Sequence, residues 1–165
     1  MALDETWLQT NSDSLAAALD GQREAICATL TTRLLATFPR LCYDPKRVDG
    51  RAFQRMTMRQ TPQRLHLLIQ SALRLRNLGM IERQYRWGWP MVQRFGGHRQ
   101  HLITHIYWYF EVARATLKLE NSDRAALSAL ETEIVQMVER ATMIGDGVVR
   151  SRSGKNHSNG HKSHS

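Results

Sequence analysis

Cysteine is scarce in this chain, and long hydrophobic runs are absent. The 165 residues include two cysteines, Cys27 and Cys42, too few for the disulfide framework of a small secreted protein. The longest apolar stretches are interrupted by Arg, Gln or His before they reach the length of a transmembrane helix. The opening MALDETWLQTNSD is polar and acidic, unlike a secretory signal peptide. We therefore expect a cytoplasmic protein without a membrane span, with one domain over residues 1–148.

Patterns typical of β-strands are also missing. No segment alternates apolar and polar residues between turn residues, and no hairpin dipeptide separates two apolar runs. Apolar residues instead recur at steps of three and four, which is the spacing of one helical face. The sequence therefore predicts an all-α bundle of about six helices.

Caps, prolines and glycines delimit the first predicted helices. Ser12 or Asp13 caps a helix over residues 14–37, and Pro39 ends it because the residue before proline is pushed out of helical geometry. A short helix follows over residues 48–59. Thr61-Pro62 begins the next helix, since proline is tolerated in a first turn, and Gly79 stops it.

Glycines, prolines and caps also delimit the predicted helices in the second half of the chain. A short helix over residues 80–87 is disturbed by Gly88 and Pro90. The break at residues 95–97 precedes a long helix that runs to Leu117. Ser122-Asp123 caps a last helix that ends near Gly145. Residues 149–165 are polar and rich in Ser, Gly and His, so we predict a disordered basic tail.

The net charge of +8 is concentrated in the middle of the chain. Residues 46–100 contain twelve Lys or Arg and two acids, Asp49 and Glu82. Such a strip can attract nucleic acid, a phosphate, an anionic cofactor or an acidic protein, or it can be the solvated face of helices. No glycine-rich phosphate loop or nucleic-acid motif accompanies the charge.

The long helix carries two adjacent stripes, which is typical of a central helix covered on more than one side. One stripe is apolar, and the other contains His98, His101, His105 and Trp108. Three histidines on one helix rarely suffice for a metal site, because positions i and i+7 lie about 10 Å apart along the axis. No catalytic constellation accompanies them. We predict no enzyme and no metal site, and we interpret these histidines as capping or core-edge residues.

The order of these elements resembles the globin superfamily over residues 14–143. The segment LLATFPRL (34–41) is similar to the end of the second globin helix, where an aromatic-Pro pair turns the chain. The segment MVQRFGGHRQHLITHIYWYFEVARATL (91–117) is similar to the passage from the sixth to the seventh globin helix. The resemblance implies a globin-like bundle with a pocket between its helices.

Haem globins place the proximal histidine about four residues before the glycine of that break, and this chain has Val92 there. Valine offers no lone pair to iron, so the resemblance implies the haem-free branch of the superfamily. His66 lies on the helix that would be distal. Neither Cys27 nor Cys42 matches the bilin-attaching cysteine of phycobiliproteins, which argues against a covalent bilin.

We therefore predict a haem-free globin-like sensory or regulatory module. It would act through an apolar or tetrapyrrole-type ligand of unknown identity, through a protein partner, or as a homo-oligomer. The candidate cofactor-binding pocket comprises His66, His98, His101, His105 and Trp108, and we expect Trp108 to be at least partly buried. The alternative is a basic helical adaptor that binds nucleic acid or an acidic protein through residues 46–100.

Overall fold

The computed structural model describes residue 3 and residues 5–150, with side chains up to Met143. Six α-helices account for most of this part of the chain, and it contains no strand. The helices are α1 (Glu5–Gly21), α2 (Arg23–Thr37), α3 (Gly50–Arg74), α4 (Gly79–Arg94), α5 (Arg99–Thr116) and α6 (Asn121–Arg150). The predicted all-α class is confirmed. None of the described helices is both long and apolar enough to cross a membrane.

Helix α5 lies at the centre, as its two stripes predict. It packs between α2 and α6, while α3 contacts α1 and α2, and α4 packs along α6. Tyr109 and Phe110 of α5 are among the largest fully buried side chains, and their rings meet edge to face with centroids 5.3 Å apart. By contrast, α3 and α4 touch over a short part of their length, which leaves a groove between them.

The predicted helix over residues 14–37 is wrong in both its start and its continuity. Helix α1 begins at Glu5, and the chain breaks at Gln22 before α2. Gly21 at the break costs about 1 kcal/mol relative to alanine inside a helix, which favours an interruption there. Ser12, predicted to be a cap, is buried inside α1, and its hydroxyl donates to the carbonyl of Leu8.

The two helices predicted around Thr61-Pro62 are one helix, α3, with Pro62 in its interior. Proline lacks the backbone donor that an interior helix position normally supplies, but Pro62 is buried in the folded chain. This helix ends at Arg74, and Gly79, predicted to be its stop, instead begins α4. Tertiary packing overrides the local proline signal here.

Helix α4 likewise continues past the predicted end at Trp87 and includes Gly88 and Pro90. The break after it is confirmed, because Gly96 adopts a φ of 76°, which glycine tolerates best. The end of α2 at Thr37, before Pro39, is also confirmed.

Helix α6 runs five residues beyond Gly145, to Arg150. Glycine lowers helix propensity without necessarily ending a helix. Of the tail predicted over residues 149–165, the first two residues belong to the last turn of α6, and residues 151–165 lie outside the described part of the chain.

Candidate ligand groove

A largely apolar groove of about 470 Å³ lies between α3, α4 and α5. We call it the His105 groove. The residues that line it belong to these three helices and are Thr61, Arg64, Leu65, Leu67, Leu68, Ser71, Met80, Gln84, Tyr85, Gly88, Val92, Leu102 and His105. Gly88 leaves part of the α4 wall open, because a Cβ added there would meet nothing within 4 Å.

His105 is the buried polar residue of this groove. Its residue surface is 4% exposed, and its Nε2 atom makes no hydrogen bond to any described residue. Burial lowers the pKa of His105 from 6.5 to about 4. The imidazole is therefore neutral at pH 7, and its buried Nε2 is a hydrogen-bond donor or acceptor according to tautomer.

Arg64 and Tyr85 are two of the other polar residues that line the groove. Arg64 is exposed, and its guanidinium donates to the side-chain oxygen of Gln60 at 3.1 Å. No Asp or Glu lines the groove. The Tyr85 hydroxyl has a pKa raised by burial, so it stays protonated at neutral pH. The groove therefore presents mainly apolar walls, one positive charge, neutral hydroxyl and amide groups and one neutral imidazole.

Val92, the residue at the position expected for a haem ligand, lines this groove from α4. It lies one turn before the break, where the backbone N–H of Gly97 donates to its carbonyl at 2.8 Å. The sequence did not identify the groove that Val92 lines.

His66 belongs to a different environment. It is fully buried on α3, and its Nδ1 lies 2.9 Å from the hydroxyl of Tyr109. Its Nε2 lies 3.5 Å from the amide nitrogen of Gln70, which donates to the carbonyl of Ala16 at 2.7 Å. Burial lowers the pKa of His66, with an opposing contribution from Asp20. This histidine ties α3 to α5 and does not line the His105 groove.

His98 and His101 organise the first turn of α5. The backbone N–H of His98 donates to Nδ1 of His101 at 3.0 Å. This bond gives a partner to one backbone donor at the start of α5, where donors lack partners within the helix. The ring of Phe38 meets His101 edge to face with centroids 4.7 Å apart. Their placement matches the capping interpretation, and neither residue lines the His105 groove.

Trp108 faces the end of α2. It is partly buried, as predicted, and its ring stacks on Phe38 with centroids 5.8 Å apart. The guanidinium of Arg33 lies 5.8 Å from the Trp108 ring centroid and also pairs with Glu111 at 2.9 Å. These contacts fix the α2–α5 packing.

The five residues predicted to share one pocket are therefore distributed over three environments. His105 lines the groove and His66 binds Tyr109 in the core. His101 and Trp108 contact Phe38 at the end of α2, and His98 lies beside His101. His98, at the start of α5, and the three residues within the helix follow helical spacing, which predicts a shared face but not the neighbour of each position. Within the described residues, no group of three His, Cys, Asp or Glu side chains is placed to hold a metal ion.

Sequence reasoning missed the residues that shape the groove. Gly88 was interpreted as a helix disturbance, and Arg64 only as part of the basic strip. One signal was available, because a glycine inside a helical pattern often marks a close approach or an opening on one side.

Comparisons with protein-family models, curated proteins and solved structures found no match to this chain.

Proposed function

We propose that this chain is a haem-free, globin-like regulatory module that binds an apolar ligand in the His105 groove. The observation that carries the proposal is a largely apolar groove lined by His105, whose buried Nε2 makes no hydrogen bond to any described residue. Such an atom costs about 1–3 kcal/mol when it lacks a hydrogen bond, and a ligand with one hydrogen-bonding group would remove that cost. The groove volume of about 470 Å³ falls within the roughly 300–1,000 Å³ of small-molecule sites.

The end of α2 before Pro39 and the break at Gly96, both features on which the resemblance rests, support the globin-like part of the proposal. By that resemblance Val92 stands at the position of the iron ligand of haem globins, and its apolar side chain lines the groove. His66, the other histidine considered for a haem role, is engaged with Tyr109. We therefore assign the groove to an apolar organic molecule rather than to haem.

Ligand binding would regulate the module by joining two helices that otherwise touch little. Because α3 and α4 contact each other over a short length, a ligand between them adds contacts that favour their closed arrangement. A ligand shifts a conformational equilibrium only by its differential affinity for the two arrangements. The expected output is slower amide exchange in α4 when the groove is filled.

The neutral fluorophore N-phenyl-1-naphthylamine provides a direct test. We expect saturable fluorescence enhancement and a raised melting temperature, since a ligand at 100 times its dissociation constant stabilises a protein by about 2.7 kcal/mol. The variant Gly88→Leu should abolish binding without unfolding the chain, because a Cβ at Gly88 meets nothing within 4 Å. Gly21→Leu is the matched control, since Gly21 has the same free space and lies outside the groove. Equal binding by both variants would contradict the assignment.

Haemin is the second probe, because His105 is a groove-lining imidazole. We expect the purified protein to show no stoichiometric Soret band. We also expect that adding haemin does not produce a Soret band that depends on His105. A tight complex with one haemin per chain, lost in His105→Ala, would replace the haem-free assignment with a haem protein whose ligand lies on α5.

A further inference from the structure

The outer face of α4 carries an unusual exposed tryptophan. Ile81 and Trp89 bury one side of this helix, while Arg83, Trp87, Met91 and Arg94 follow each other at steps of four, four and three on the other side. Trp87 is 78% exposed and Met91 is 51% exposed. We call these four residues the Trp87 face.

The positive charge of this face is not neutralised by the described residues. Arg83 and Arg94 are exposed, and neither forms an ion pair within the described part of the chain. The one acid of α4, Glu82, is engaged by Arg86 at 2.6 Å and by Arg140 of α6 at 3.1 Å. Helix α3, which also contacts α4, contains no acid. The surface is therefore cationic and apolar at once.

We propose that the Trp87 face docks on an anionic lipid bilayer surface. An indole ring prefers the boundary between headgroups and acyl chains, where its apolar body and its N–H are both satisfied. Met91 would enter the same boundary beside it. Arg83 and Arg94 lie about one to two turns away on the same side, within reach of phosphate and carboxylate headgroups, and long arginine side chains reach such groups readily.

A bilayer fits this face better than the alternative anionic partners do. The face is the convex outer side of one helix, which matches a broad deformable surface. Single-stranded nucleic acid is bound in cationic grooves with successive aromatic platforms, whereas this face has one tryptophan beside a methionine. An acidic peptide helix would require a groove to receive its apolar side. The proposal is independent of the ligand assigned to the His105 groove.

Vesicle co-sedimentation with the full chain tests the proposal. We expect binding to phosphatidylcholine vesicles that contain phosphatidylserine, and little binding to phosphatidylcholine alone, with the difference reduced by salt. Trp87→Ala should weaken binding by about tenfold, since it removes most of the inserted apolar area. Tyr107→Ala is its matched control, because Tyr107 is also an exposed aromatic residue, at 47%, on another helix.

The charge contribution is tested with a second pair of variants. The double variant Arg83→Gln/Arg94→Gln should weaken binding to the anionic vesicles by about 30-fold, since each basic residue near such a surface contributes about 1 kcal/mol. Arg40→Gln/Lys118→Gln removes the same charge from exposed positions off α4 and should change binding far less. Circular dichroism establishes that all variants are folded.

Three results would overturn the proposal. The first is no retention on the anionic vesicles. The second is equal weakening by the two double variants, which would indicate net charge rather than this face. The third is Trp87-dependent retention of an oligothymidine strand or of an acidic peptide without vesicle binding, which would assign the face to that partner.

Discussion

At the scale of single residues, two buried histidines differ in whether a ring nitrogen has a hydrogen-bond partner. His66 shares a hydrogen bond with Tyr109 at 2.9 Å, whereas Nε2 of His105 has no partner among the described residues. Buried polar groups are normally paired, so the first arrangement stabilises the fold. The second is an exception, and the proposed ligand site rests on it.

The unpaired His105 should make the protein acid-sensitive. Its pKa is lowered to about 4 from 6.5, so the unfolded chain takes up a proton more readily than the folded chain between these values. Stability is therefore full above about pH 6.5 and should fall by roughly 3 kcal/mol as the pH decreases to about 4.

Urea unfolding at several pH values measures this loss. His105→Leu should flatten the dependence and leave the protein at least as stable at pH 7, because an apolar side chain needs no hydrogen bond. Part of the slope should remain, since the pKa of His66 is also lowered. A curve parallel to that of the unmodified protein would show that His105 does not limit acid stability.

The Tyr109–His66 hydrogen bond should contribute more to the free energy of unfolding than a hydrogen bond at the surface does. Tyr109→Phe removes the hydroxyl and leaves Nδ1 of a fully buried imidazole without that partner, so we expect a loss of about 1–3 kcal/mol in the free energy of unfolding. Tyr107→Phe is the matched control, since Tyr107 is 47% exposed and its hydroxyl can be solvated. Equal, small effects of the two variants would argue against a structural role for the buried pair.

At the scale of elements, glycines in and around α4 have different consequences for packing. Gly88 lies inside the helix with free space where a Cβ would project. Gly97 follows the helix, and a Cβ there would lie 2.9 Å from the backbone oxygen of Val92 and would also clash with its side chain. One glycine opens the groove, and the other allows the chain to fold tightly against the end of the helix.

The same substitution at these two glycines should therefore act in opposite directions. Gly88→Ala should stabilise the protein by up to about 1 kcal/mol, because alanine has the higher helix propensity. Gly97→Ala should destabilise it by about 1–3 kcal/mol, because the backbone near Val92 must shift to admit the methyl group. Thermal unfolding of both variants measures the contrast, and a stabilised Gly97→Ala variant would be incompatible with the close approach at Val92.

At the scale of the whole molecule, the basic strip of the sequence is divided among several surfaces. Residues 50–94 supply nine arginines and one acid. Arg74 and Arg76 pair with Asp20 and Asp13 of α1, whereas Arg64 lines the groove and Arg83 and Arg94 lie on the Trp87 face. Both proposed sites include residues of α4, so we expect ligand binding and surface attachment to involve the same helix.

Residues 151–165 should contribute little to folding stability. Their sequence, SRSGKNHSNGHKSHS, contains no aliphatic, aromatic or sulfur-containing side chain, so it offers no apolar area to bury. Deletion of these residues should leave the melting temperature essentially unchanged. A fall of many degrees would show that this segment docks on the folded domain.

The sequence alone determined the helical class, the central position of α5, the end of α2 before Pro39 and the break at Gly96. These features depend on local periodicity and on residues with restricted or unusual backbone preferences, which act over a few positions. The capping interpretation of His98 and His101 has the same local origin.

Only the tertiary structure decided where helices continue and which residues meet. Helix α3 passes through Pro62, and α4 passes through Gly88 and Pro90, because packing along the rest of each helix outweighs one missing donor or one flexible residue. Periodicity likewise placed His105 on a helical face, but it could not reveal that α3 and α4 diverge beside it. That divergence, a property of three helices together, is what makes the groove.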